Sequence, residues 1–285
     1  MNRSPDQTRL SKALIRWSLN RPTLIAETAT SWVYKVEQEG REPAVLKQLK
    51  SDLPDDEELR GGALLAWYAG EGAATVFDAA DGVIFMEWLD GKTLGDAARS
   101  GHDEDATAAI ASVVKELHRP RDIDPPPLLP LRYRFRALLE MKPARWPHTS
   151  RDLLARAAGI AYQIFDKPAP NVPLHGDLHH DNIIASRRGW LAIDPKGLIG
   201  DPAYEVANVF RNPHGAPHIF ADPGAVARRA DVLSSRLGFQ RKRMLAFAAT
   251  HAALSICWSL ESDDMVEARE TLLVLPHLLA AYDMA

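Results

Sequence analysis

The chain has 285 residues, 46% hydrophobic and 25% charged, which is enough for one large core or two modest ones. A formal net charge of -4 argues against a nucleic-acid-binding protein, because such proteins need a concentrated basic surface. With no apolar run of about 18 residues and no signal-peptide core near the N-terminus, we expect a cytoplasmic protein without a membrane partner. The single cysteine, Cys257, excludes an intrachain disulfide and is expected to be a buried small hydrophobe.

The first 90 residues combine two helical patterns with five strand-like runs. Apolar residues at helical spacing predict a helix over 6–18, and a second helix is predicted over 55–69. Gly40 and the Asp81-Gly82 dipeptide are typical of tight turns between strands. The runs typical of strands are 23–26, 32–37, 44–49, 75–78 and 83–88. Together these elements predict a five-stranded antiparallel sheet with one main helix.

Beyond Gly91 the pattern is mostly helical, apart from a proline-rich loop at 124–127. Helices are predicted over 93–99, 103–118, 131–141, 149–165, 202–210, 223–237, 241–260 and 265–281. Strands followed by helices, rather than alternating with them, indicate an α+β fold. We therefore expect two regions, an N-terminal lobe of residues 1–90 and a helical C-terminal lobe of residues 91–285.

The polar loop from His175 to Asn182 is the part of the chain most typical of a catalytic site. Two short strands, 182–186 and 190–194, are predicted to form a hairpin, so that Asn182 and Asp194 meet at one end. Phosphoryl transfer requires oxygen ligands for Mg²⁺ and a carboxylate that accepts the proton of the attacking hydroxyl. Asp177 fits the catalytic base, and Asn182 and Asp194 fit the metal ligands.

These residues also carry a family resemblance. The motif is His175-Gly176-Asp177 with Asn182, followed by the stretches 193–197 and 200–205. It resembles the aminoglycoside phosphotransferase family and is most similar to the aminoglycoside/hydroxyurea antibiotic resistance kinases, which include streptomycin 6-phosphotransferases. The match is densest over residues 172–212 and looser over 23–92. The resemblance implies a bilobal protein-kinase-like fold and phosphorylation of a hydroxyl on a small molecule, an aminoglycoside-type antibiotic or related metabolite, with ATP and Mg²⁺ as cofactors.

The same resemblance assigns nucleotide contacts to the N-terminal lobe. Lys47, on the strand 44–49, is implied to align the nucleotide phosphates. Either Glu57 or Glu58 would orient this lysine, and we favour Glu58; the alternative is that both only favour a helix N-terminus. Backbone groups of Glu87 and Leu89 are implied to bind the adenine edge. The oligomeric state, monomer or dimer, stays open.

The bend between the first two strands departs from the kinase pattern because it contains no glycine. Thr28, Thr30 and Ser31 offer hydroxyl and backbone N–H donors to phosphate, but their side chains restrict close approach of the backbone. The alternative is a plain hairpin turn without a role in binding.

Two functions of other classes stay open at this point. The histidines and aspartates of the loop also fit a zinc-dependent hydrolase, whose ligands would come from His175, Asp177, His179, His180 and Asp181. The glycine-free bend favours, as a third possibility, a kinase-like binding module without catalysis. A loop that merely caps helices is the least informative interpretation.

Residues around the motif are expected mainly to support it. His175 is predicted to brace the loop by hydrogen bonding, and Lys196 is either a phosphate contact or an exposed lysine. Asp201 is predicted to cap a helix, and Glu205 to anchor that helix to a basic partner. Two clusters of charged residues could contact the acceptor. A cluster of acidic residues favours a polycationic acceptor, whereas a cluster of arginines favours an anionic or neutral one. The acidic group is Glu261, Asp263, Asp264 and Glu267, and the arginines are Arg132, Arg134 and Arg136.

Overall fold

The N-terminal region is a twisted antiparallel sheet flanked by two helices. A computed structural model of the chain describes residues 6–50, 57–142, 146–167 and 170–285. The elements of this region are α1 (Gln7–Arg16), β1 (Leu19–Glu27), β2 (Ser31–Gln38), β3 (Ala44–Leu49), α2 (Glu57–Trp67), β4 (Val76–Ala80) and β5 (Val83–Glu87). The strand order is β1-β2-β3-β5-β4, and every pairing is antiparallel. The predicted five-stranded sheet is confirmed; residues 55–56 of the predicted second helix lie outside the described residues.

Both faces of the central strand β3 are covered, which explains its run of apolar residues. Lys47 is the partly exposed member of this strand and lies between Val33 of β2 and Ile84 of β5. On one face, α1 packs Leu10 and Ala13 into a small core cluster that also contains Leu46. The sheet therefore holds Lys47 between two neighbouring strands that fix its position.

The C-terminal region is mainly helical but also contains short strands that the sequence pattern missed. Its elements are α3 (Leu94–Arg99), α4 (Asp103–Leu117), β6 (Leu129–Pro130), α5 (Leu131–Arg134), α6 (Arg136–Leu139), α7 (Arg151–Phe165), β7 (Val172–Leu174), β8 (Ile183–Ser186), β9 (Gly189–Ala192), β10 (Leu198–Gly200), α8 (Pro217–Phe220), α9 (Pro223–Leu237), α10 (Arg241–Glu261) and α11 (Met265–Met284). Strands β6, β10 and β7 form a second small sheet. At two or three residues each, they are too short to show an alternating pattern.

Two predicted helices are interrupted in the structure. The helix expected over 131–141 breaks at Phe135, whose buried ring packs edge-on against Phe165 and Tyr204. The helix expected over 202–210 is instead a pair of 3₁₀ turns, Pro202–Tyr204 and Ala207–Arg211. In both segments, packing of buried side chains outweighs the local helical preference.

The hairpin of β8 and β9 joins the two regions. Its open end is closed by the backbone N–H of Ile193, which donates to the carbonyl of Asn182 at 2.9 Å. On one side, Ala192 exchanges backbone hydrogen bonds with residues 72–74 of the N-terminal region. On the other side, the N–H of Ala185 donates to the carbonyl of Lys92. These backbone hydrogen bonds hold the two strands of the hairpin against both regions.

One large hydrophobic cluster extends through the whole fold. It contains Val45 and Leu64 from the N-terminal region together with Ile110 and Phe247 from the helical one. Helix α10 is apolar and long enough for a bilayer span by length and composition, but 83% of its most apolar window is buried inside the protein. It is thus a central helix of the core, and Cys257 on it is buried as predicted.

Candidate active site

Two lysines and two carboxylates meet where β3, α2 and the end of the β8–β9 hairpin come together. The Lys47 Nζ forms ion pairs with both Glu58 and Asp194. Lys196 Nζ lies 3.1 Å from Asp194 Oδ2 and 3.4 Å from Glu58 Oε1. Burial opposes the charge of Asp194, but the two lysines outweigh it and hold the pKa of this carboxyl well below its usual range. Asp194 is therefore ionised.

A cavity of about 320 Å³ lies between the N-terminal sheet and the β8–β9 hairpin. Of the residues predicted to bind the nucleotide or the metal, all except Thr30 line this cavity. The lining residues of this set are Thr28, Ser31, Lys47, Glu58, Glu87, Leu89, Asn182 and Asp194. Its apolar wall includes Val45, Ile84 and Met86, which suits a flat aromatic group. The cavity thus has both an apolar wall and charged side chains.

The two residues expected at the adenine edge, Glu87 and Leu89, lie at the end of β5 and just after it. The N–H of Glu87 donates to the carbonyl of Thr75 at 3.0 Å, so this donor is already used. The Glu87 carboxylate accepts from Arg188, which lies in the turn of the β8–β9 hairpin. Leu89 follows β5, and its side chain is buried.

The glycine-free bend is organised by its own hydroxyl groups. The Thr28 Oγ1 accepts from the backbone N–H of Ser31 at 2.9 Å and from that of Thr30 at 3.2 Å. Thr30 Oγ1 in turn donates to Glu58 Oε1 at 2.8 Å. These backbone donors face Thr28 itself, so they are engaged within the bend.

The loop that carries Asp177 is fixed by a buried glutamate that sequence analysis treated as scaffold. Glu205 is 1% exposed and accepts hydrogen bonds from the backbone N–H groups of His175 and Gly176 at 2.9 and 3.1 Å. Its basic partner is His118, whose Nε2 lies 3.0 Å away. Burial opposes the charge of Glu205, but His118, His175 and the Gly176 amide together lower the pKa of its carboxyl.

His175 braces the loop, as predicted. Its Nε2 lies 2.8 Å from the carbonyl of Ile193, and its Nδ1 accepts from the N–H of Asp177 at 3.3 Å. Burial lowers the pKa of His175, so the ring is neutral. The ring therefore links the catalytic loop to the residue just before Asp194.

The carboxylate of Asp177 is held by amide groups. Asn208 donates to Asp177 Oδ1 at 2.8 Å, and Asn182 Nδ2 donates to the Asp177 carbonyl at 3.0 Å. The Asn182 Nδ2 lies a longer 3.5 Å from Asp177 Oδ2. Asn208 did not emerge from sequence analysis, because it lies 31 positions from its partner and only the spatial fold pairs them.

The oxygen donors present fit a magnesium ion better than a zinc ion. Since Asn182 uses its Nδ2 toward Asp177, its Oδ1 remains for a cation, and the ionised Asp194 supplies a charged oxygen. Mg²⁺ is commonly held by one or two such side chains plus phosphate oxygens. Within the described part of the chain, no three His, Cys, Asp or Glu side chains converge as a metal site. The His-rich loop therefore does not favour the zinc hydrolase.

The histidines of the loop illustrate why zinc ligation is not favoured. The rings of His175, His179 and His180 contact three different places: the Ile193 carbonyl, the Asp181 N–H and Asp103. Arg99 pairs with the remaining carboxylate of the loop, Asp181.

A second cavity of about 960 Å³ is lined by residues of α2, α5, α6 and the end of α10. Arg134 lines it and pairs with Glu57 Oε2 at 2.5 Å. The cavity carries both signs of charge, from Glu57, Glu140 and Glu261 and from Arg60, Arg134, Arg136 and Lys142. Of the acidic group predicted for the acceptor, Glu261 lines this cavity, whereas Glu267 pairs with Arg211 and Asp264 caps α11. Arg132 lies over the ring of Phe165.

Comparison with known proteins places the chain among enzymes that phosphorylate antibiotics. The model of the aminoglycoside/hydroxyurea antibiotic resistance kinases matches residues 16–263. A streptomycin 3''-kinase from Klebsiella pneumoniae is 37% identical over 249 residues, covering 85% of this chain and 89% of that protein. A streptomycin 6-kinase from Streptomyces griseus is 27% identical, covering 86% and 85% of the two chains.

The fold also matches solved structures at low sequence identity. A thermostable mutant of aminoglycoside phosphotransferase APH(4)-Ia, in ternary complex with ADP and hygromycin B, superposes with a TM-score of 0.68. It is 15% identical, and the match covers 96% of this chain and 97% of that one. The predicted bilobal, kinase-like fold is thereby confirmed.

Proposed function

Because the chain belongs to the aminoglycoside/hydroxyurea antibiotic resistance kinase family, we propose that it transfers the γ-phosphoryl group of ATP to a hydroxyl of a streptomycin-type aminoglycoside. Membership confirms the predicted class of enzyme, a small-molecule kinase. The observation that supports the proposal most is that Asn182, which donates to the Asp177 carbonyl, lines the same cavity as the paired Lys47 and Asp194.

In the proposed reaction the acceptor hydroxyl binds against Oδ2 of Asp177, the oxygen that Asn208 does not contact. Asp177 orients this hydroxyl and accepts its proton as the new O–P bond forms, while ADP leaves with the electrons of the broken bond. Asn182 and Asp194 would hold Mg²⁺, which neutralises charge on the phosphate oxygens. Lys47, aligned by Glu58, contacts the phosphates; Lys196, which shares both carboxylates, is a second cation for the same purpose.

The apolar cavity between the sheet and the hairpin is the proposed adenine site. Its volume of about 320 Å³ and its aliphatic lining suit a base stacked between Val45 and Ile184. The Glu87 carbonyl and the Leu89 N–H are the backbone groups assigned to the adenine edge. The bend of Thr28, Thr30 and Ser31 is assigned to the phosphates, through hydroxyls rather than through glycine N–H groups.

The larger cavity is the proposed acceptor site. Glu140 and Glu261 in its wall offer carboxylates to the cationic groups of an acceptor, beside the basic side chains that line the same cavity. Arg134 lies over the ring of Trp258 at 4.7 Å from its centroid. The 37% identity to a streptomycin 3''-kinase favours streptomycin as the acceptor. The cytoplasmic location, the absence of nucleic-acid and membrane partners, and the lobe boundary at residue 90 stay predictions.

The proposal is tested by incubating the purified protein with Mg²⁺-ATP and one acceptor at a time. The panel is streptomycin, hygromycin B, hydroxyurea and no acceptor, with mass spectrometry of the acceptor and ADP release as readouts. We expect ADP release that depends on streptomycin and a streptomycin product carrying one phosphoryl group. ADP release at the same rate with and without every acceptor would contradict the proposal, and no thermal shift with Mg²⁺-ATP would favour the non-catalytic module.

Acceptor recognition is tested with the variant Glu140→Gln, which keeps shape and removes charge. We expect a higher KM for cationic streptomycin, roughly 3- to 30-fold, because a charged contact is lost. The KM for ATP is the internal control and should not change. An unchanged KM for streptomycin would place its cationic groups elsewhere.

A further inference from the structure

The carboxylate of Asp177 needs a fixed orientation, because the torsion that rotates a carboxylate about its terminal bond is soft. Only one oxygen at a time faces the acceptor hydroxyl, so free rotation would lower the fraction of productive encounters. The backbone of the loop is fixed by Glu205 and His175, but neither contacts the Asp177 side chain. The side chain itself must therefore be held by another group.

Asn208 is the residue placed to hold it. It lies in the 3₁₀ turn Ala207–Arg211, is 5% exposed, and donates from Nδ2 to Asp177 Oδ1 at 2.8 Å. The next donor toward the carboxylate, Asn182, stands 3.5 Å from Oδ2. This arrangement occupies Oδ1 and leaves Oδ2 for the acceptor.

The orientation of the Asn208 amide is itself determined. Its Oδ1 accepts from Arg211 Nη1 at 2.9 Å and from Asn212 Nδ2 at 3.0 Å. A flipped amide would present its NH₂ group to these two donors and its oxygen to the Asp177 carboxylate, which places donor against donor and acceptor against acceptor. The Nδ2 group therefore points toward Asp177.

Arg211 is anchored in turn by the last helix. Its guanidinium forms an ion pair with Glu267 on α11, and the Arg211 side chain is 11% exposed. Asp264, which caps α11, accepts from the N–H of Glu267 at 3.1 Å. Residues three apart in a 3₁₀ turn lie one above the other, so the turn aligns Asn208 and Arg211 on one side.

From this geometry we propose that Asn208 and Arg211, anchored by Glu267, form a positioning relay that fixes the carboxylate of Asp177 for proton acceptance. The relay rests on the proposed kinase function and adds residues that act through the base and not on the substrate. Helix α11, which is remote in sequence from the catalytic loop, thus contributes to the orientation of the base.

The test is steady-state kinetics and thermal unfolding of Asn208→Leu, Asn208→Asp and Arg211→Gln beside the wild type. Asn208→Leu removes the donor with little change in volume, and Asn208→Asp keeps the oxygen that Arg211 and Asn212 contact. We expect kcat to fall roughly 10- to 100-fold in both Asn208 variants, as for a lost hydrogen bond to a charged group, with KM for ATP unchanged. Arg211→Gln should lose less, about 3- to 10-fold, since Asn212 still holds Asn208.

The double variant Asn208→Leu with Arg211→Gln separates a relay from independent structural effects. In a relay, removing Asn208 already disconnects Arg211, so the double variant should have the kcat of Asn208→Leu alone. Multiplying losses would contradict the relay. Thr250→Val, which removes a buried hydroxyl bonded only within α10, is the matched control and should lower the Tm but not kcat.

Failure of the relay is distinguishable from failure of the proposed function. If the wild type phosphorylates streptomycin and both Asn208 variants keep its kcat, the relay is wrong and the kinase function stands. If no acceptor is phosphorylated, the proposed function fails, and the relay, which rests on it, fails with it. Where Asn208→Leu does not fold, Asn208→Asp alone decides, because an unchanged kcat in that variant overturns the relay.

Discussion

The catalytic loop and the bend over the nucleotide cavity are held in different ways. The loop around Asp177 is fixed by buried groups, with the Glu205 carboxylate on two of its amides and His175 on the carbonyl of Ile193. The bend around Thr28 is mostly exposed, and the backbone N–H groups of Thr30 and Ser31 donate to Thr28 Oγ1 within the bend itself. The difference leads us to expect that the catalytic loop is the more rigid of the two, and that changes in the bend affect the proposed reaction less.

The largest expected effect comes from removing the base from the fixed loop. Asp177→Ala should lower kcat by at least about 10³-fold, because it removes the proposed acceptor of the hydroxyl proton, while ATP affinity stays near that of the wild type. Steady-state kinetics and ATP titration measure the two quantities.

The matched control is Asp181→Asn, a carboxylate of the same loop that pairs with Arg99 instead. Its kcat should stay within a few-fold of the wild type. ATP-dependent turnover that survives in Asp177→Ala would reassign the base.

The next effect concerns the glutamate that fixes the loop. Glu205→Ala leaves two buried N–H groups and His118 without their acceptor, so the free energy of unfolding should fall by about 3–5 kcal/mol. Chemical denaturation measures this loss. The control is Glu116→Ala, which removes a surface ion pair with Arg119 and should lower the free energy of unfolding only slightly. A loss no larger than that of the control would show that the loop keeps its conformation without Glu205.

Lowering the pH should reduce the stability of the folded protein through His180, which lies in the catalytic loop. Burial lowers the pKa of His180 to about 4, with Asp103 at 3.7 Å opposing the shift. The ring is neutral in the folded state above this pH, whereas in the unfolded chain it takes up a proton near pH 6.5. Its contribution to stability is therefore complete above pH 6.5 and is lost as the pH falls to about 4, on the order of 1–3 kcal/mol.

Denaturation curves at several pH values check this effect. His180→Leu should show a weaker dependence of stability on pH between 6.5 and 4 than the wild type does. The exposed His218→Gln is the control and should follow the wild type. Parallel curves for His180→Leu and the wild type would exclude His180 as the source of acid sensitivity.

The smallest effect is expected from a change in the glycine-free bend around Thr28. Thr30→Val keeps the β-branched shape but removes the hydroxyl that contacts Glu58, and Glu58 orients Lys47. We expect KM for ATP to rise up to about 10-fold with kcat within a few-fold, because the bend binds phosphate without fixing the base. Thr23→Val, on the exposed face of β1, is the control. A drop in kcat comparable to that of Asn208→Leu would abolish the distinction between the two segments.

Local signals in the sequence were sufficient for much of this arrangement. The lysine on β3, the Asp81-Gly82 turn and the hairpin that follows Asn182 each depend on neighbouring residues, and the structure contains all three. A helix beginning near residue 57 brings Glu58 to Lys47 and Glu57 to Arg134, a choice that sequence analysis left open.

The features that the sequence did not predict depend on contacts between distant segments of the chain. Asn208 reaches Asp177 only through the packing of the 3₁₀ turn against the catalytic loop, and the predicted helix over 131–141 breaks at the buried Phe135. Neither event has a periodic pattern, because each is decided by tertiary packing.

The single hydrophobic cluster that passes from the sheet into the helices limits how this enzyme could diversify. A fragment ending near residue 90 would present Leu64 and Ile84 to water instead of to the helical region, so neither half should persist alone. Transplanting the N-terminal half onto a foreign acceptor domain would therefore require this shared core to be rebuilt. We expect new acceptors to be gained more readily by exchanging side chains in the wall of the larger cavity.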